Sequence, residues 1–204
     1  MRQHAAMTGH LHFRHLHEAD EHIRGVVRPE IYNHSERTYL LGLQAARIDG
    51  HCDLDEVSLH IAALFHDSGT ADIYNGEARF EVEGADAAAR FLEDRGWTAD
   101  RIDAIWEAIA LHTTPGILER RSAVAHYLRR GVEIDFGPQT LRDLFPTAIS
   151  EIEGQYPRSN IEEVLGDLVV AQAIENPLKA PRPSWAADLV AHHRPDEPGI
   201  NPAF

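Results

Sequence analysis

One short stretch constrains the fold most: an apolar helical segment that ends in the adjacent pair His66-Asp67. Apolar residues recur before the pair at the spacing of one buried helix face; these are Leu54, Val57, Ile61, Leu64 and Phe65. The pattern predicts a helix over residues 53–67 with Asp53 as its N-cap and Gly69 suited to the C-terminal cap. His66 and Asp67 then occupy the last turn, where the helix dipole favours a cation.

Three more candidate site residues, His34, His112 and Asp135, lie at positions predicted to be buried. His34 and His112 both fall on apolar helix faces, so their rings are expected to point inward. A lone inward histidine is more often a core residue bonded to a backbone carbonyl, and that reading stays open for each. Asp135 lies between Ile134 and Phe136, and a buried carboxylate is costly unless it is paired or bound to a metal.

His34, His66, Asp67 and Asp135 together are interpreted as the ligand set of one divalent metal ion. Imidazole nitrogens and carboxylate oxygens suit Zn, Fe, Mn or Ni and do not single out one of them. The predicted cofactor is therefore one divalent transition metal, and an enzyme is the leading hypothesis.

The order of these residues resembles the H…HD…D signature of the HD-domain superfamily of metal-dependent hydrolases, and most closely its cyanamide hydratase branch. The segments that carry the resemblance are residues 32–37, 62–67, 79–86 and 106–117, and it extends over roughly residues 30 to 176. It implies an all-helical fold around one metal, with the four residues above as ligands. It also implies hydration of the nitrile of cyanamide to urea.

The chain is predicted to form a compact, single-domain, all-α helical bundle around the metal site. Predicted helices span residues 34–48, 53–67, 81–95, 99–112, 122–130 and 160–175. Residues 1–29 form a His-rich extension whose histidines are expected to face solvent, and residues 30–176 form the HD domain. Residues 177–204 form a Pro-rich tail with one short helix near 184–192. This tail is expected to pack on the body or on a second subunit. In the second case the protein would form a homo-oligomer.

The composition narrows the range of partners. A formal net charge of −14 disfavours nucleic acid and anionic membrane surfaces. No apolar run reaches the roughly 18 residues of a membrane-spanning helix. Cys52 is the only cysteine, so no intrachain disulfide forms. We expect a cytoplasmic protein that acts on a small-molecule substrate.

The predicted chemistry is that of a metal-dependent hydro-lyase, in which the metal activates water for attack on a nitrile. Asp67 is expected to act as both ligand and proton acceptor. Glu83 and His112 are the candidates for orienting the substrate or relaying protons, although Glu83 is equally well explained as an ordinary first-turn glutamate.

Two alternatives remain open at this stage. A phosphohydrolase acting on a nucleotide or another phosphate ester would use the same metal and would need cationic groups for the phosphate. Arg37 and Arg79 are the candidates for that role. A helical sensor or binding module that is stabilised by metal but does not catalyse a reaction is the third class.

Overall fold

The computed structural model of the protein describes residues 2–193, with side chains from residue 11 onward. Within this part of the chain there are ten α-helices and no strand, which confirms the all-α prediction. The helices are α1 (Arg2–Val26), α2 (Pro29–Ile48), α3 (Glu56–Phe65), α4 (Phe80–Glu93), α5 (Ala99–Ala110), α6 (Ala123–Phe136), α7 (Gln139–Arg142), α8 (Pro146–Gln155), α9 (Ile161–Glu175) and α10 (Trp185–His193). Short 3₁₀ turns connect several of them.

Helix α3 is shorter at both ends than its apolar pattern predicts. Its N-cap is Asp55, whose side chain accepts a hydrogen bond from the Ser58 backbone N–H at 3.1 Å, so the expected cap at Asp53 is wrong. The helix ends at Phe65, and a 3₁₀ turn over Ser68–Thr70 follows it. Gly69 belongs to that turn, where a Cβ would collide with the carbonyl of Phe80, so this glycine permits close packing on α4.

The N-terminal segment is part of the folded body, although the sequence patterns did not predict a helix there. Ala19 and Ile23 of α1 are fully buried, and the helix packs on α3. His15 is buried as well and accepts a hydrogen bond from the Trp97 indole at 3.0 Å. The expectation of a solvent-facing His-rich extension is therefore wrong for His15, while His17 is exposed. The side chains of His4 and His10 lie outside the described residues.

Helices α2 and α6 pack so closely that their backbones come into contact. Gly42 faces the carbonyl of Tyr127, and Gly131 faces the carbonyl of Thr38, so each helix lies where a Cβ of the other would be. Because α6 continues to Phe136, six residues past the predicted end, its last turn reaches His34 of α2. The packing of α2 on α6 therefore holds His34, a candidate metal ligand, against the end of α6.

The C-terminal part of the chain returns to the body through α9 and α10. Ala186, Ala187 and Val190 of α10 are buried, and α10 packs on α9. The short helix expected near residues 184–192 is present as Trp185–His193. The rest of the predicted tail, residues 194–204, lies outside the described residues. None of the described helices combines the length and the apolar character needed to cross a membrane.

Substitution of Gly131 by alanine tests the close approach of α2 and α6. The added methyl group meets the backbone of Thr38, which cannot rotate away, so the free energy of unfolding should fall by about 1–3 kcal/mol. Gly154 of α8 provides the matched control, because a Cβ there meets no atom. Gly154→Ala should leave stability unchanged or raise it by less than about 1 kcal/mol. Urea unfolding of both variants measures the difference, and equal stability would contradict close packing.

Candidate metal centre

His34, His66 and Asp67 converge on one point inside the protein. His34 comes from the second turn of α2, and the other two residues follow the last residue of α3. The Nε2 atoms of the two imidazoles are 3.1 Å apart. One Asp67 oxygen lies 3.5 Å from the His34 Nε2 atom and 3.2 Å from the His66 Nε2 atom. All three ligand atoms lie within 4.8 Å of one another, a spacing that one metal ion can bridge.

The hydrogen bonds of the two rings determine which nitrogen is free. Nδ1 of His66 lies 2.7 Å from the Ala63 carbonyl oxygen, which can only accept, so Nδ1 carries the proton. Nδ1 of His34 lies 2.6 Å from the Asp135 carboxylate and donates to it in the same way. The Nε2 lone pairs of the two neutral rings therefore face each other, and they repel unless a proton or a metal ion lies between them. The arrangement fits a cation.

The Asp67 carboxylate provides the second sign of a cation site. It is 1% exposed, and neither of its oxygens has a hydrogen-bond partner within the described residues. Nε2 of His66 and of His112 lie 3.2 and 3.3 Å from these oxygens, but without the alignment of a hydrogen bond. A buried charge without donors is costly. The donor set therefore suits a divalent ion, which would satisfy both the carboxylate and the facing nitrogens.

The charges of the site also favour a positive species beside Asp67. Burial alone raises the pKa of the Asp67 carboxyl, but the adjacent His66 charge and the His112 imidazole hold that pKa well below its usual range. Burial lowers the pKa of His66, yet the Asp67 carboxylate outweighs burial and raises the pKa of His66 above its ordinary value. The electrostatics of the cluster therefore favour a positive charge at the place where a metal ion fits.

Asp135 lies next to this group and not within it. One of its oxygens accepts from His34 Nδ1, and its two oxygens also accept from Arg37 Nε and Nη2 at 2.9 Å each. Arg158 donates to the carboxylate at 2.9 Å as well. Burial raises the pKa of Asp135, but the His34 and Arg37 contacts outweigh it and lower that pKa strongly. Direct ligation of a metal by Asp135 remains a prediction; the contacts present make it the residue that orients His34.

His112 approaches Asp67 as well, but at the other carboxylate oxygen from the one that faces His34. It follows the C-terminal end of α5, and its Nδ1 donates to the Ile109 carbonyl at 2.7 Å, the same local bond that His66 makes. Its ring packs edge-on against His66, with centroids 4.9 Å apart. His112 is thus brought to the site as the sequence predicted, with Nε2 as its free nitrogen.

Neither Glu81 nor Glu83 of α4 lines the cavity, but Glu81 bonds a residue of its wall, Thr113. Glu81 is fully buried, and it accepts from Thr113 Oγ1 at 2.7 Å and from Arg79 at 2.6 Å. Glu83 instead accepts from the Ala78 backbone N–H at 2.8 Å, and it is absent from the pocket wall. None of these contacts of Glu83 supports the predicted catalytic role, which stays a prediction. A sequence signal for Glu81 existed, because it shares the buried face of Ala85, Ala88 and Leu92 at helical spacing.

A cavity of about 790 Å³ opens beside the cluster. His34, His66, Asp67, His112 and Thr113 form its polar end. Its remaining walls are mainly apolar, with Arg129, Arg130, Glu133 and Glu162 as the charged residues. None of these four charged residues, and neither Trp185 nor Leu189 of the wall, belonged to the predicted site. Pockets of this size and character commonly bind small molecules.

Fold and donor set together define a helical protein with a buried site suited to a divalent metal. The family model for the HD domain matches residues 31–143, which is more than half of the 204 residues. The chain therefore belongs to the HD-domain family, whose members are typically metal-dependent hydrolases that bind divalent metals. No curated protein matches the chain.

Replacement of His66 by alanine tests the metal site directly. The variant loses one of the converging nitrogens, so protein purified without added metal should contain much less transition metal than the wild type. His60→Ala is the matched control, since His60 lies on the same helix but bonds Glu36. Elemental analysis of the three proteins measures metal per chain. Equal metal content in the His66 variant would remove that residue from the ligand set.

Asp135→Asn tests how Asp135 acts. The amide keeps the size but weakens the acceptor for His34 Nδ1, so metal affinity should fall by about 10–100-fold, as for other residues that orient a ligand. Asp86→Asn is the control, because Asp86 accepts a hydrogen bond from the Trp106 indole at 2.8 Å and belongs neither to the cluster nor to the cavity wall. Chelator competition gives the affinities, and circular dichroism checks the fold. Unchanged affinity would make Asp135 purely structural, whereas complete loss would place it among the ligands.

Proposed function

We propose that this protein is a metal-dependent hydro-lyase that adds water to a nitrile, with conversion of cyanamide to urea as the simplest such reaction. The observation that carries the proposal is the buried, unpartnered Asp67 carboxylate facing two imidazole nitrogens at the end of a cavity. Metal-dependent hydrolysis is typical of the family, and hydration of a nitrile uses the same activated water.

The proposed ligands are His34, His66 and Asp67, with Asp135 behind His34. A bound Zn, Fe, Mn or Ni ion would lower the pKa of a water molecule and polarise the substrate. In the overall reaction the two C–N π bonds of the nitrile are replaced by a C=O double bond to the water oxygen, and both protons of the water pass to the nitrile nitrogen. The protein must therefore move protons close to the metal.

His112 is the residue best placed to move them. Its Nδ1 proton is committed to the Ile109 carbonyl, so Nε2 is the atom that gains and loses a proton. Nε2 lies 3.3 Å from an Asp67 oxygen and lines the cavity, so the transfer takes place beside a fixed negative charge. A positioned proton carrier of this kind contributes about 10²–10⁴-fold to a rate.

The charges around the cavity favour a neutral substrate. The cavity wall carries three carboxylates, Asp67, Glu133 and Glu162, against two guanidinium groups, Arg129 and Arg130. Glu133 pairs with both arginines, at 3.4 Å and 2.9 Å. A neutral nitrile does not require either cation to leave its partner.

The arginines expected to bind a phosphate are also engaged elsewhere. Arg37 is fully buried and holds Asp135, and its third nitrogen donates to the carbonyls of Tyr156 and Pro157. Arg79 is bound to Glu81. Neither arginine lines the cavity.

Phosphate ester hydrolysis is the second candidate, and one observation favours it. Arg129 and Arg130 line the cavity, and the Nε atom of Arg129 is buried without a hydrogen-bond partner. A phosphate oxygen could take that donor. Glu119 and Glu133 would have to release Arg129 for a second contact, which makes this the weaker reading.

A product assay separates the two functions. Metal-loaded protein should form urea from cyanamide and release no phosphate from a panel of nucleoside monophosphates. Rapid phosphate release without urea would assign the protein to the phosphohydrolases. Inactivity on every substrate, with metal bound, would favour the sensor class.

His112→Ala should lower cyanamide turnover by about 10²–10⁴-fold while metal content stays unchanged, since the variant loses a proton carrier but no proposed ligand. His60→Ala is the control for loss of an imidazole outside the cavity. Steady-state rates and elemental analysis on the same preparations test this. Loss of metal together with activity would show that His112 is itself a ligand.

A further inference from the structure

The cavity is much larger than cyanamide, so its volume and its lining residues indicate the size and the character of the substrate. We propose, on the basis of the proposed function, that the substrate is a neutral nitrile carrying an apolar substituent. We further propose that Trp185 and Leu189 of α10 set the maximum size of that substituent. A volume of about 790 Å³ suits a drug-sized molecule, and cyanamide would leave most of it to water.

The apolar wall begins at the metal centre itself. The Phe136 ring lies 4.3 Å from the His34 ring, centroid to centroid, at the end of α6. Val132 continues the wall one turn earlier on α6, and Leu165 adds to it from α9. A nitrile with its reactive carbon near Asp67 would therefore place its substituent against hydrocarbon. Contact of this kind is favourable in proportion to the apolar area removed from water.

Trp185 and Leu189 contribute to this wall from α10, one helical turn apart. The Trp185 ring lies 6.0 Å from the ring of Phe80, centroid to centroid, which links it to α4. The side chain of Ser184 caps α10 by accepting from the Ala187 N–H at 3.1 Å. The wall is thus held in place by its own cap and by buried neighbours, so it can limit substrate size.

Helix α10 lies outside the segment that the HD-domain family model matches. That match ends at residue 143, and α10 begins at Trp185. The polar end of the cavity comes from the matched segment, and so do Val132 and Phe136 of the apolar wall. Leu165, Trp185 and Leu189 of the wall come from beyond it. The proposed size limit therefore depends on residues outside the segment that supplies the metal cluster.

A homologous series of alkyl nitriles tests the proposal, because lengthening the chain changes the apolar area with little change in nitrile reactivity. For the metal-loaded wild type, kcat/KM should rise by about tenfold per added methylene until the chain reaches α10, and then fall. Leu189→Trp fills the part of the cavity that α10 lines and should move the cut-off to shorter chains. Trp185→Ala opens it and should move the cut-off to longer chains. Asp188→Asn, an exposed change on the same helix, should leave the cut-off where it is.

A chain-length profile that is flat, or a cut-off that moves in neither α10 variant, would overturn the proposal. Turnover of no nitrile at all would instead refute the proposed function. In that case, calorimetric titration with the corresponding alkyl carboxamides still tests the cavity. Affinity that rises with chain length and shifts in Leu189→Trp supports an apolar substituent site, and affinity independent of chain length contradicts it.

Discussion

The structure depends on one buried carboxylate, Asp135, which ties three parts of the chain together. It accepts hydrogen bonds from His34 and Arg37 of α2 and from Arg158 ahead of α9. Burying charges is costly, and it is compensated only where geometry and hydrogen bonding are nearly complete. Here the Arg37 pairing is bidentate, and its remaining nitrogen reaches two carbonyls. Because the compensation requires all these partners at once, the arrangement fixes α2 against α6 in a single register.

The fixed packing of α2 against α6 explains how the metal centre can keep buried polar groups without hydrogen-bond partners, above all the Asp67 carboxylate. Gly42 and Gly131 let the two helices approach to backbone contact, and His34 is thereby held within 3.1 Å of His66. If α2 and α6 packed less closely, water would reach the Asp67 carboxylate and screen the negative charge that favours a cation. Tight packing and the chemistry of the site are therefore two results of the same contact.

Much of the fold and the centre of the site could be predicted from the sequence. Apolar periodicity indicated six of the helices and the inward positions of His34 and His112. The place of His66 and Asp67 at the end of a helix indicated that they could meet at one ion. The role of Asp135 could not be read in this way, because its partners are an arginine 98 residues earlier and another 23 residues later. Such contacts arise only in the folded chain. Helix α1 was not predicted, because it packs on the body through only a few buried side chains, among them His15, Ala19 and Ile23, which leave a weak apolar pattern.

The two imidazoles of the metal cluster are oriented by different means. His66 is held by the carbonyl of Ala63, three residues earlier in the last turn of α3, so its direction follows from the local backbone alone. His34 is held by Asp135 from another helix, so its direction depends on the packing of α2 against α6. If α2 separated from α6, His66 would keep its orientation and His34 would lose the contact that orients it. Capture of the ion is therefore coupled to the final closure of this helix pair, and a bound ion would in turn resist its opening.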